Sequence, residues 1–235
     1  MAADTISWSL VAAAIGVAVV HTALGPDHYL PFVMLARARR WSLPRTLLIT
    51  LMCGIAHVVS SVVLGGVGVA AGVAIGHLEI VEGTRGDLAA WALVAFGVAY
   101  AAWGIRVALR TQKGLEPHTH GGHVHLHAHG DHVHTHPDEP GRTTTFWALF
   151  IVFVLGPCEP LIPLFMVPAS RGAWSTAAAV ALVFGAVTVA AMLVIVALGW
   201  AGVSRLRLGA LERWAHALAG GTLVLAGLAV IFLGL

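Results

Sequence analysis

Leu24-Gly25-Pro26-Asp27-His28-Tyr29-Leu30-Pro31-Phe32 and Leu155-Gly156-Pro157-Cys158-Glu159-Pro160-Leu161-Ile162-Pro163-Leu164-Phe165 interrupt two long apolar runs in the same way. Each reads Leu-Gly-Pro, then two side chains able to bind a metal, then proline and phenylalanine. Each is followed by a Trp-Ser pair, Trp41-Ser42 and Trp174-Ser175, that leads into the next apolar run. Proline in mid-helix removes a backbone donor and clashes with the preceding turn, so both runs are expected to break or kink there. Backbone groups freed in this way are tolerated in lipid only where they face protein or a polar cavity.

Outward from these breaks the chain is almost continuously apolar. It has 235 residues, 58% hydrophobic and 10% charged, against about 25% charged in a soluble domain. Soluble enzymes are therefore excluded, and no enzymatic activity is expected. A net charge of +2 without a basic run gives no nucleic-acid partner; the partner of this surface is the lipid bilayer. A spanning helix needs about 20 mostly apolar residues. Six stretches qualify, at 6–36, 45–76, 88–111, 143–168, 174–201 and 210–235. An odd number of spans lies between the two matching segments, so the second enters the membrane from the other side. The expected fold is all-α and polytopic, six transmembrane helices arranged as a 3+3 inverted-topology repeat with helices 1 and 4 broken. Residues 1–111 form the first three-helix repeat, 112–142 a His-rich linker and 143–235 the second repeat.

Tryptophans 8, 41, 91, 147, 174, 200 and 214 mark span ends, where their rings suit the headgroup level. The first span reads as retained rather than cleaved, since Asp4 and no Lys or Arg precedes it. Of 13 basic residues, 11 fall between spans one and two, three and four, or five and six, and the opposite loops hold only Arg85 and Arg171. That bias places the linker in the cytoplasm and both termini outside, in a multi-pass protein of the plasma membrane.

Among the 11 acids, only Asp27 and Glu159 are expected deep within spans. Each costs about 2.5–3.5 kcal/mol at the bilayer centre. With no buried Lys or Arg expected to pair with them, a bound cation or protons must do so. Candidate metal ligands surround them: His21 and His28, seven residues apart; Cys53 and His57, on one helical face at i and i+4; and Cys158 beside Glu159. Thr188 is the repeat counterpart of His57. This donor set suits Ni, Co, Zn or Cu rather than Mg or Ca. A buried free thiol is the plain alternative for Cys53, and His77 and His216 read as interfacial.

The linker carries nine histidines: His118, His120, His123, His125, His127, His129, His132, His134 and His136. Such a tract binds borderline divalent ions by composition, without a packed structure. It is suited to buffer, sense or deliver metal, the last to a cytoplasmic metal acceptor.

At His21-Thr22-Ala23-Leu24-Gly25-Pro26-Asp27-His28 the sequence resembles the nickel/cobalt transporter superfamily, whose signature is a histidine, a short spacer and Asp-His in a transmembrane helix. Five residues separate His21 from Asp27-His28, where the permeases of that family have four. The chain looks nearest to the six-span urease-accessory-type, high-affinity nickel transport proteins, which often carry a His-rich central loop. The resemblance implies transport of a divalent transition-metal cation, Ni2+ or Co2+ before Zn2+ or Cu, through a midplane His/Asp/Glu/Cys site and without a cofactor. A proline-flanked cysteine in a repeated three-span unit also resembles the cytochrome c biogenesis-type thiol–disulfide membrane carriers. Only Cys158 matches that pattern, since Asp27 stands where the first repeat would need its cysteine. A sulfite-type anion exporter ranks lower, because two intramembrane acids repel anions. A non-transporting metal sensor built on the linker is a further alternative.

Overall fold

The structure, a computed structural model, describes residues 6–111, 117–120, 123–126, 140–206 and 209–234. Eight α-helices form a bundle: α1 (Trp8–Leu24), α2 (Leu30–Ala38), α3 (Leu43–Ala70), α4 (Ile75–Thr111), α5 (Pro140–Leu155), α6 (Leu161–Ser170), α7 (Trp174–Arg205) and α8 (Ala215–Leu233). The expected breaks are where α1 gives way to α2 and α5 to α6. Among the described residues, four segments are long and apolar enough to cross a membrane: Leu43–Ala70, Ile75–Arg110, Trp174–Arg205 and Leu211–Leu233. The pieces either side of each break are shorter apolar helices. Large aliphatic side chains such as Leu182, Leu198 and Leu225 point outward and stay exposed. An apolar exterior around an equally apolar interior is the pattern of a membrane protein.

The third span departs from expectation. It starts at Ile75 rather than 88 and extends to Thr111. Trp91 therefore lies well inside α4 and not at its end, and Arg85 belongs to a helix rather than a loop. The charged residues of 79–87 concealed this helix in the sequence; two of them, Glu82 and Arg85, neutralise each other at i and i+3. In the linker, β1 (Pro117–His120) and β2 (His123–Leu126) pair antiparallel, with His118 opposite His125 and His120 opposite His123. The linker is thus not wholly without regular structure. Strict alternation of His with Thr and Val around Gly121-Gly122 is a hairpin pattern. His127, His129, His132, His134 and His136 lie outside the described residues.

α1 and α6 pack on α7, α5 packs on α3, and α2 packs on α8. The most extensive pairing is the antiparallel one of α4 with α8. Small residues permit it: a methyl group at Gly97 would stand 2.8 Å from the backbone nitrogen of Val224 and 2.9 Å from the carbonyl oxygen of Gly220. Such close approach through small residues is how helices associate where lipid supplies no hydrophobic drive. Gly97→Leu is expected to pry α4 from α8 and lower stability by about 1–3 kcal/mol, the usual cost of overpacking. A fall in the melting temperature of the detergent-solubilised protein checks this.

Two apolar clusters fill the interior. One gathers Phe32, Leu35, Leu149, Phe153, Met192 and Val196 towards the end of the bundle where α4 meets the linker. The other gathers Ala14, Leu161, Ile162, Val180 and Phe184 towards the opposite end. Both breaks fall between them. At the linker end, Arg37 ties α2 to the segment before α8 through Glu212 (2.7 Å) and the carbonyl of Leu206 (3.1 Å). Trp200 donates to the carbonyl of Trp41 at 3.0 Å.

Candidate metal centre

The first break is built by its own sequence. α1 ends as the Gly25 amide donates to the His21 carbonyl at 3.0 Å, and Pro26 has no amide to carry the helix on. Pro26–His28 make one 3-10 turn before α2 resumes with Pro31 in its first turn. The turn brings His28 beside His21, with ring centroids 4.7 Å apart and edge-on. On the other side of His28 stands His57 of α3, at 5.2 Å and again edge-on. His28 and His57 are almost completely buried.

The protons on two of these rings follow from their partners. His28 Nδ1 faces Asp27 Oδ1 at 3.1 Å and the Gly25 carbonyl at 3.2 Å, and His57 Nδ1 faces the Phe153 carbonyl at 3.3 Å. All three oxygens only accept, so Nδ1 must be the donor on each ring. In a neutral ring Nε2 then keeps its lone pair. The Nε2 atoms of His21, His28 and His57 are all buried without a hydrogen-bond partner among the described residues. Buried polar atoms are seldom left so. A histidine held through Nδ1–H to an oxygen, with Nε2 free, is the arrangement in which imidazole binds a metal ion.

The second break supplies a thiol. α5 ends as the Gly156 amide donates to the Val152 carbonyl at 2.8 Å; α6 begins at Leu161, whose amide donates to the Cys158 carbonyl at 2.9 Å. The Cys158 thiol and one nitrogen each of His21 and His57 lie within 4.8 Å of one another. Three separate elements thus bring soft and borderline donors to one place, which fits a divalent transition metal.

The backbone freed by this break is satisfied by two residues of α4. Arg85 Nη2 donates to the carbonyls of Val154 (2.8 Å) and Gly156 (3.4 Å) and to Ser60 Oγ (3.0 Å). Glu82, completely buried, accepts from the Cys158 amide and from Ser61 Oγ, each at 3.2 Å, and pairs with Arg85. The deepest acid among the described residues is therefore Glu82, which the sequence reading left in the loop between spans two and three, and an arginine does sit beside it. Asp27 and Glu159 are less enclosed. Asp27 is half-buried and Glu159 is exposed, at the wall of a cavity of about 410 Å³ that His21, His28 and His57 also line.

No family model, curated protein or solved structure matches this chain.

The structure brings together His21, His28, His57 and Cys158, with Asp27 bonded to His28 and Glu159 at the cavity wall. Cys53 is not among them. It is buried within the apolar cluster nearer the linker, to which Phe32, Leu35 and Met192 also belong, one helical turn before His57. Thr188 is buried with its hydroxyl unpartnered, one turn after Phe184, whose ring is 6.5 Å from that of His21. His77 is exposed, and His216 is bonded to the Tyr100 hydroxyl at 2.9 Å. Glu82 and Arg85 are the residues that sequence reasoning missed. Their i, i+3 spacing in opposite charge was the available signal.

Proposed function

We propose that this chain is a secondary transporter of a divalent transition-metal cation, Ni2+ or Co2+ foremost. The observation that carries this reading is a buried thiol within 4.8 Å of one nitrogen each of His21 and His57 where two helices break, with the His28 ring beside both and the Nε2 atoms of all three rings without partners among the described residues. Ionisable groups inside a membrane span mark an ion pathway by default. Imidazole and thiolate bind metal only when free of protons, so proton and metal exchange at such a site, a natural coupling to the proton gradient.

The packing supports an inverted repeat. Exchanging α1–α4 for α5–α8 turns the α1–α7 contact into α5–α3 and α2–α8 into α6–α4, and both exist. Counting α1 with α2 and α5 with α6 as single broken crossings brings the four long helices to six spans. The basic residues then keep the linker in the cytoplasm, with Arg171 on the opposite face. Metal moves as one repeat rocks against the other around the breaks. A thiol–disulfide carrier finds no second sulfur here, since Cys53 stands in another part of the interior than Cys158.

The test is cellular Ni, Co, Zn and Cu content with and without the protein. Expression changes the content of Ni or Co, and Cys158→Ser lowers that change about tenfold, the range expected when a metal site loses one of its supports. Metal contents identical to those of cells lacking the protein contradict the proposal.

A further inference from the structure

Two exposed acids, Asp87 and Glu159, join Asp27 and the histidines in lining the cavity. Gly83, Gly86 and Asp87 of α4 line it at i, i+3 and i+4, and so share one helical face. The Glu159 carboxylate lies along that face: methyl groups at Gly83 and Gly86 would stand 3.9 and 3.7 Å from its Oε1. A methyl at Gly86 would also come within 2.8 Å of Pro157, so the missing side chains are what let the second break lie this close to α4. Asp87, next to Gly86, is exposed and has no hydrogen bond or ion pair among the described residues.

Deeper in the same cavity, His28 and His57 are each less than a tenth exposed and present unpartnered Nε2 atoms. The path between acids and imidazoles has a direction. Val230, Ile231 and Gly234, from the end of α8, join Gly83–Leu93 from the first half of α4 in lining the cavity. The linker leaves from the other end of α4, about 30 Å or more away at a rise of about 1.5 Å per residue. Towards that end, Phe32 and Phe153, with centroids 4.8 Å apart, belong to the closed apolar core.

We propose that Asp87 and Glu159 form an outer capture site for a hydrated divalent cation, at the mouth of a cavity that opens on the face opposite the His-rich linker. The inference rests on the transport reading above. Carboxylates can hold an ion that keeps much of its water, whereas binding by the imidazoles and the thiol inside displaces water at each position they take. An ion is thus gathered by charge at the mouth and changes ligands on the way in. Acid-lined clefts raise the local concentration of a cation by about 10–10³-fold.

The experiment measures initial rates of Ni2+ uptake by proteoliposomes against Ni2+ concentration. Asp87→Asn is expected to raise KM about tenfold, Asp87→Lys to raise it further, and Asp87→Glu to restore it. Glu79→Gln removes an exposed acid of the same helix outside the cavity, and keeps the wild-type KM. Asp87→Cys is expected to react with a membrane-impermeant thiol reagent from the face opposite the linker, and Ni2+ to slow that reaction. An unchanged KM in Asp87→Asn, a loss confined to kcat, an equal rise in Glu79→Gln, or labelling from the linker face overturns the capture site while leaving transport standing. Absence of uptake by the wild-type protein overturns the transport reading, and the capture site with it.

Discussion

His57→Ala is expected to remove tight Ni2+ binding from the purified protein. His57 is the only one of the three site histidines carried by an unbroken helix, so its removal deletes a ligand without disturbing either break. Loss of a group that merely orients a ligand costs about 10–100-fold in metal affinity. Loss of the ligand itself is expected to cost about 100-fold or more, roughly 2.7 kcal/mol at about 1.4 kcal/mol per factor of ten. Calorimetric titration of the protein in detergent with Ni2+ measures this directly. His216→Ala is the control: it deletes another imidazole, half-buried rather than buried, whose Nδ1 meets Tyr100 and whose ring packs on Trp103 with centroids 4.8 Å apart. Equal losses in both variants would mean that His57 acts through stability alone.

Glu82→Leu is expected to be the most destabilising single substitution in the bundle. It leaves the Arg85 guanidinium without its carboxylate, removes one of the two acceptors of the Cys158 amide and deprives Ser61 of its acceptor. Removing one partner of a buried pair costs about 3–5 kcal/mol, a large share of the roughly 5–15 kcal/mol that holds a typical protein folded. The double variant Glu82→Leu/Arg85→Met is expected to recover much of the stability, because neither charge is left unpaired. It is not expected to recover metal affinity, since the break that carries Cys158 loses the contacts that hold it. Melting temperature and Ni2+ affinity, measured on the single and double variants, separate the two effects. A single variant with an unchanged melting temperature would show that Glu82 does not support the break.

These two residues mark where the sequence was informative and where it was not. The breaks were legible because their cause is local: Gly25-Pro26 and Gly156-Pro157 end a helix whatever surrounds them. His57 was legible as a candidate ligand only through its type. That it meets Cys158 depends on how α3 lies against the α5–α6 break, and no spacing within either segment encodes that. Cys53 shows the limit of helical periodicity. It shares a face with His57 at i and i+4, yet one turn displaces it about 5.4 Å along the axis, from the site into the aromatic core. Glu82 was hidden because hydropathy scores each charge alone, whereas burial is decided by the pair it forms with Arg85. Glu159 was expected at the centre and stands at the wall, because Cys158, one residue earlier, takes the inward position.

The central claim is that the histidine and cysteine side chains gathered at the two breaks conduct a metal ion across the membrane. Its most direct test is Ni2+ flux into proteoliposomes containing the wild-type protein or His57→Ala, with Co2+, Zn2+ and Cu2+ run alongside. Saturable Ni2+ or Co2+ entry is expected for the wild type, and none above empty vesicles for His57→Ala. Equal flux through both proteins, or no flux of any of the four metals through the wild type, would contradict it.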